Sequence, residues 1–224
     1  MVHSLASPRK HTLSPRLSPR QRDRRERVLR TARNLITTHG LQEVTMRMIA
    51  AGSGVTEKTL YNIYGSKDRL IAATAYDITA SIFQEARDAC AESGWGFIVA
   101  LVDALVDGTL VRPNTARTLI PILLDHAEAV GIDALYDEFF GSTLMDMKQS
   151  GAILDTAPVP TITRLVRIAA VTSILFWGAG QLRDSEVRPH ILVQLCGLLR
   201  PWAAPTLIPA LDRELAQAHR HLGA

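Results

Sequence analysis

Val44–Leu70 reads VTMRMIAAGSGVTEKTLYNIYGSKDRL, and its spacing predicts two short helices joined by a tight corner. Thr45 is placed to cap a helix that ends near Gly52, and Thr56 to cap one that runs to Tyr64, since a hydroxyl there accepts an orphan amide N–H. Ala50 and Ser53 are small enough for helices to cross closely, and Gly54 supplies a turn residue. Val55, Leu60 and Ile63 give the second helix an apolar underside, with Ile49 opposing them. This is the sequence logic of a helix-turn-helix, whose second helix enters a DNA major groove.

Upstream, Met1–Arg20 holds three Ser-Pro-Arg units, at Ser7–Arg9, Ser14–Arg16 and Ser18–Arg20. That proline density argues against helix, and residues 1–20 are expected to form a flexible basic arm. From Gln21 the pattern turns helical. Val28, Leu29, Ala32, Leu35 and Ile36 share one stripe, and Gly40 is a natural stop. Asp23 with Arg27 and Glu26 with Arg30 are spaced for i,i+4 pairing. Residues 1–33 carry ten bases against two acids, a net of +8, whereas the remainder carries 15 bases and 20 acids, a net of −5. Such polarity points to a polyanion partner for the N-terminal end, although a solvated basic tail reads the same way for residues 1–20.

Downstream, Ser66 is placed to cap a long helix through Asp68, Leu70, Ile71, Ile78 and Ile82, ending before Ser93–Gly94. Phe97, Leu101, Leu105 and Val106 support the next. Another begins at Asn114, turns Leu119, Ile122 and Leu123 inward and is expected to kink at Pro121. Ile132, Leu135, Tyr136, Phe139, Phe140, Thr143, Leu144 and Met147 form the cleanest stripe, closed by Gly151. Ile162–Trp177 is apolar nearly all round; Val187–Leu199 and Leu207–Leu222 finish the chain. The fold class is therefore all-α, with roughly nine or ten helices and no convincing strand.

Composition narrows the function. Of 224 residues 47% are hydrophobic and 21% charged, as in a globular protein. Cys90 and Cys196 form no CxxC or zinc pattern, and with no apolar signal core near the N-terminus a cytoplasmic location is expected. The uncharged stretch Ile168–Gly180 is thirteen residues, short of the roughly 20 that span a bilayer, so no membrane partner is expected. No GxSxG, HExxH, P-loop or strand-linked GxGxxG occurs, so neither an enzyme nor a bound cofactor is expected. His219 and His221, two apart on a helix, face different ways, so no metal site is expected.

Thr31–Ile71 resembles the DNA-binding domain of the TetR/AcrR family of regulators, over about 40 residues. Ala32, Gly40, Thr45, Ile49-Ala50, Gly54-Val55, Thr59-Leu60-Tyr61, Ser66-Lys67 and Leu70 match that family's pattern in order and spacing. Tyr64 stands where phenylalanine is usual, Gly65 where proline is common, and Glu57-Lys58 where a small or basic pair is frequent. The last departure touches the base-reading surface, so no operator sequence carries over.

Chemistry and matched positions together assign DNA-contact roles. Arg47 presents a fork of donors to guanine or a phosphate. Thr45 and Thr56 cap helix ends that face backbone phosphates, though they and Ser66 would cap helices whatever the function. Glu57 and Lys58 sit in the first turn of the recognition helix, within reach of base edges. Thr59, Tyr61 and Lys67 resemble the family's phosphate clamps, which set register without reading sequence. Asn62 is a further base or phosphate candidate.

The resemblance implies a division into a flexible arm at residues 1–20, a three-helix DNA-binding domain at 21–67, and a larger helical effector-binding and dimerisation domain at 68–224. One recognition helix covers few base pairs, so such proteins pair as homodimers to read two half-sites of double-stranded operator DNA. Ile162–Trp177 and Val187–Leu199 are the interface candidates. An effector pocket for a small apolar or amphipathic molecule is sought among Trp95, Phe97, His126, Tyr136, Phe139, Phe140 and Trp177, although residues of these types are more often plain core than ligand contacts. The leading expectation is a repressor released by its effector; a ligand-independent regulator and a sequence-independent basic DNA-binding or adaptor protein stand as alternatives.

Overall fold

A computed structural model describes residues 18–223; the first two Ser-Pro-Arg units lie outside the described residues. The third opens helix α1 (Pro19–His39) instead of belonging to an arm. The Ser18 side chain accepts from the Gln21 N–H, and the Gln21 side chain accepts from the Ser18 N–H at 2.8 Å. Pro19 takes the first helical position, where its missing N–H costs nothing. Proline denies a helix interior but favours this entry, which moves the start from Gln21 to Pro19.

There follow α2 (Met46–Ser53), α3 (Glu57–Tyr64), α4 (Lys67–Ala89), α5 (Trp95–Leu110), α6 (Pro113–Asp125), α7 (Ala127–Val130), α8 (Ile132–Tyr136), a π turn (Asp137–Gly141), α9 (Ser142–Gln149), α10 (Val159–Gly178), α11 (Asp184–Leu199) and α12 (Ile208–Leu222). The described residues contain no strand, only an isolated antiparallel bridge between Ile153 and Ala203. The chain is all-α. The excess over nine or ten helices arises from the region 127–149, which is split into short pieces.

That splitting has a physical cause. All eight residues of the stripe from Ile132 to Met147 are buried, and they alternate spacings of three and one, a strict repeat of four. A regular α-helix turns about 100° per residue, so a four-residue repeat drifts by about 40° each time. The π turn, with its wider i→i+5 closure, unwinds the helix locally and returns the stripe to one face. The aromatic side chains stay together as a result. Phe83 of α4 meets Tyr136 edge-on at 5.5 Å between ring centroids, Phe139 at 5.4 Å and Phe140 at 5.6 Å, while Tyr136 and Phe140 stack at 5.3 Å.

Two apolar clusters result. The smaller gathers Val28, Ala32 and Ile36 of α1, Ile49 and Ala50 of α2, Leu60 of α3, Leu70, Ile71 and Ala75 of α4 and Leu119 of α6. Apolar packing thus crosses residue 67, the expected edge of the DNA-binding domain. The larger cluster joins α5, the stripe, α10 and α11 around Phe83, Leu101, Trp177 and Leu195. The α4 helix serves both. Across it, the Arg33 guanidinium pairs with Asp77 at 2.8 Å and reaches Ser81 at 3.2 Å, fixing α1 to α4.

The α10 helix is longer than the thirteen-residue apolar stretch suggests. It spans 20 residues at a mean hydropathy of 1.5, long and apolar enough by length and composition to cross a bilayer. One side is core, with Ile162, Val166, Ala170, Ile174 and Trp177 buried, and Arg167 in its middle pairs with Asp133 at 2.6 Å. These contacts identify it as the core helix of the C-terminal bundle. Its other side exposes Leu165, Ile168 and Phe176.

Phe83 is fully buried under three rings, so Phe83→Ala is expected to lower stability by about 3–5 kcal/mol. The check is a reduced urea midpoint at unchanged slope. Tyr64 behaves differently, because its buried hydroxyl has no partner among the described residues. Burial pushes its phenol up to about 12, opposed by Arg25 and assisted by Asp77. The folded value exceeds the ordinary value of about 10, so its contribution to stability holds below pH 10 and is lost as pH rises toward 12. Tyr64→Phe is expected to remove that alkaline loss, and to hold or raise stability by about 1 kcal/mol at neutral pH. Thermal melts of both proteins from pH 8 to 11 check this.

Candidate nucleic-acid interface

Helices α2 and α3 have eight residues each, too few to be stable alone in water. Caps and burial hold them. The Thr45 hydroxyl accepts from the Met48 N–H at 3.2 Å, and the Thr56 hydroxyl from the Thr59 N–H at 3.1 Å; each such cap contributes about 1 kcal/mol. Ser66 caps α4 in the same way. Leu60 is completely buried, which stabilises α3 against the cluster by roughly 1.5–3 kcal/mol.

The corner is set by close approach and handedness. Gly54 adopts the left-handed conformation (φ 67°, ψ 37°), and its N–H closes on the Ala50 and Ala51 carbonyls. Ser53 is buried, its hydroxyl donating to the Ile49 carbonyl at 2.6 Å. At Gly52 a β-carbon would come within 2.8 Å of the Thr31 methyl, so a side chain there would have to displace Thr31 where α1 meets α2. Arg27 then closes the corner from outside, its Nε donating to the Ser53 carbonyl at 2.8 Å. Arg27 is thus taken from the expected pairing with Asp23, whereas Arg30 and Glu26 do lie 3.9 Å apart.

Burying Leu60 determines what α3 shows to solvent. Glu57, Lys58, Tyr61 and Asn62 are exposed, Tyr61 at 48%, and Thr59 is half-buried. Thr45 and Arg47 are exposed on α2, and Lys67 is half-buried at the start of α4. The nine residues proposed from sequence therefore fall on the α2–α3 unit and the first turn of α4, with their polar ends outside the core. The hydroxyls of Thr56 and Thr59 lie 2.9 Å apart. Among the described residues, Arg47, Lys58 and Lys67 enter no salt bridge, in contrast to the paired Arg33, Arg87, Arg167, Arg183, Arg188 and Arg200.

The seven residues proposed for an effector pocket are dispersed. Tyr136, Phe139 and Phe140 are spent on the Phe83 cluster, with the Arg87 guanidinium 3.8 Å over the Phe139 ring. Trp177 donates to Asp184 at 2.7 Å and lies under Arg117. Phe97 packs half-buried on the core, and His126 sits half-buried where α6 meets α7. Trp95 borders an open groove of about 470 Å³ against α12. A separate cavity of about 270 Å³ lies between α1, α4, α5 and α6. Its walls include Ile36, Ile78, Ile82, Leu105 and Leu119, with Arg33 and Arg112 among the polar lining. Those residues come from four helices, and no local pattern in the sequence could have grouped them.

Residues 28–74 match the model of the bacterial regulatory proteins, tetR family. No curated protein matches the chain. Among solved structures, the fold is similar to Thermus thermophilus FadR, a TetR-family transcriptional repressor in complex with lauroyl-CoA. The TM-score is 0.63 at 22% identity, over 81% of this chain and 97% of that one. A TetR transcriptional regulator from Rhodococcus sp. RHA1 gives 0.62 at 23% identity, over 79% and 97%. RolR in complex with its ligand resorcinol gives 0.62 at 16% identity, over 89% and 93%. Residues 28–74 thus match the tetR-family model of bacterial regulatory proteins, and the chain as a whole has a fold similar to that of TetR-family regulators.

Proposed function

We propose that this chain is a homodimeric, sequence-specific DNA-binding repressor that leaves its operator when a small apolar or amphipathic molecule binds. The observation that carries the DNA-binding part is the outward face of α3, where Glu57, Lys58, Tyr61 and Asn62 are exposed while Leu60 anchors the helix from beneath. Glu57 and Lys58 are the base-reading pair, with Glu57 an acceptor for a cytosine amino group. Arg47, Thr59, Tyr61 and Lys67 hold phosphates, and Thr45 and Thr56 orient helix ends toward the backbone.

Two features support the remaining parts. Leu165, Ile168 and Phe176 are 37%, 43% and 52% exposed on one face of α10, an apolar strip suited to pairing with a second copy. The cavity between α1 and α4–α6 takes part of its wall from Arg33, Ile36 and Thr37 of α1, so an occupant would touch the DNA-binding unit directly. Complexes of relatives with lauroyl-CoA and with resorcinol favour effector binding as a mode for this fold. Release requires the effector to bind the DNA-competent and DNA-incompetent conformers unequally.

In a gel shift with promoter DNA from the chain's own genomic neighbourhood, Lys67→Ala and Tyr61→Ala are each expected to weaken the specific complex about ten-fold, the worth of one hydrogen bond to a charged group. No specific complex, or no effect of either substitution, would defeat the reading. Ile168→Glu combined with Phe176→Glu is expected to give a folded monomer by light scattering; a persistent dimer removes α10 from the interface.

A further inference from the structure

The helix-turn-helix face is poor in positive charge. Arg47, Lys58 and Lys67 are set against Glu43 and Glu57, a net of +1 across residues 34–67. Phosphate neutralisation supplies much of the affinity of proteins for duplex DNA, so this unit needs cations from elsewhere. Nine residues of α1, Pro19–Arg27, precede the segment that matches the family. They carry Arg20, Arg22, Arg24, Arg25 and Arg27 against Asp23 and Glu26, a net of +3, and every one of them is exposed.

Two observations show that this is a positioned element and not a solvated tail. It is continuous helix, closed at its start by the reciprocal Ser18–Gln21 bonds. It is also locked to the corner, since Arg27 holds the Ser53 carbonyl one residue before Gly54, and Thr31 abuts Gly52. From that lock, residues 20–26 continue the helix for about 10 Å at 1.5 Å per residue. The charge also opposes the helix's own interest. The first turn contains no acid, so arginines gather at the positive end of the helix dipole, an arrangement that a polyanion relieves.

We infer that Arg20 and Arg24, about one turn apart on the face of α1 that Arg27 continues, form a second DNA-contacting element, a rigid basic rod that engages duplex phosphates flanking the bases read by α3. The inference rests on the DNA-binding reading above. The rod supplies affinity without sequence preference, leaving the weakly charged α3 face to discriminate.

The test measures salt dependence of binding, by fluorescence anisotropy, to a promoter duplex and to a random duplex of equal length. Proteins compared are the full chain, the double variant Arg20→Gln, Arg24→Gln, and a charge-matched control on α12, Arg213→Gln, Arg220→Gln. Each phosphate that is no longer neutralised lowers the slope of log K against log salt by about 0.9. The rod variant is expected to lower the slope by about two per bound copy and to weaken both duplexes about equally, at unchanged helix content by circular dichroism. The control is expected to change the slope little. An unchanged slope in the rod variant, or an equal fall in the control, overturns the inference while leaving the regulator reading intact. If the full chain binds no duplex at low salt, both fail together.

Discussion

At the corner Gly52–Gly54, the Thr31 side chain of α1 closes onto Gly52 and the backbone turns left-handed at Gly54, and the candidate site is built outward from that corner. α1 and α2 meet where a β-carbon at Gly52 would have to displace Thr31, and Gly54 must adopt a left-handed conformation for α3 to leave at its angle. Neither eight-residue helix could persist without that packing, because helix nucleation costs more than two turns return. Once the corner is set, burial of Leu60 leaves Glu57, Lys58, Tyr61 and Asn62 facing solvent. The Arg27 bond to Ser53 then ties the position of the corner to the direction of α1.

A second dependence runs through α4. Its first half completes the core beneath the helix-turn-helix and its second half carries Phe83 into the C-terminal cluster. The Arg33–Asp77 pair, with Ser81 as a further acceptor, fixes α1 to the middle of the same helix. The helices α1, α5 and α6 all pack on α4. The cavity lies at this junction, where α1 and α6 both contribute side chains.

The aromatic residues show where reading by residue type stops. Tyr136, Phe139 and Phe140 qualify for a pocket by chemistry, but the π turn aligns them on one face and Phe83 fills the space between them. The signal for that π turn was present as a repeat of four where a regular helix drifts. The cavity left no such trace, since Ile36, Ile78, Leu105 and Leu119 belong to four different helices.

Local features were legible in the chain alone: the hydroxyl caps at Thr45, Thr56 and Ser66, the Gly54 corner and the buried stripes. Each depends on interactions within about five residues, or on a helical period, and spacing records both directly. Folding in three dimensions was needed to establish that Pro19 opens a helix, that Arg27 serves Ser53 and not Asp23, that Arg33 finds Asp77, and which aromatic rings become core. The last three are competitions between partners distant in the chain, and they are resolved by which surfaces the helices bury against one another.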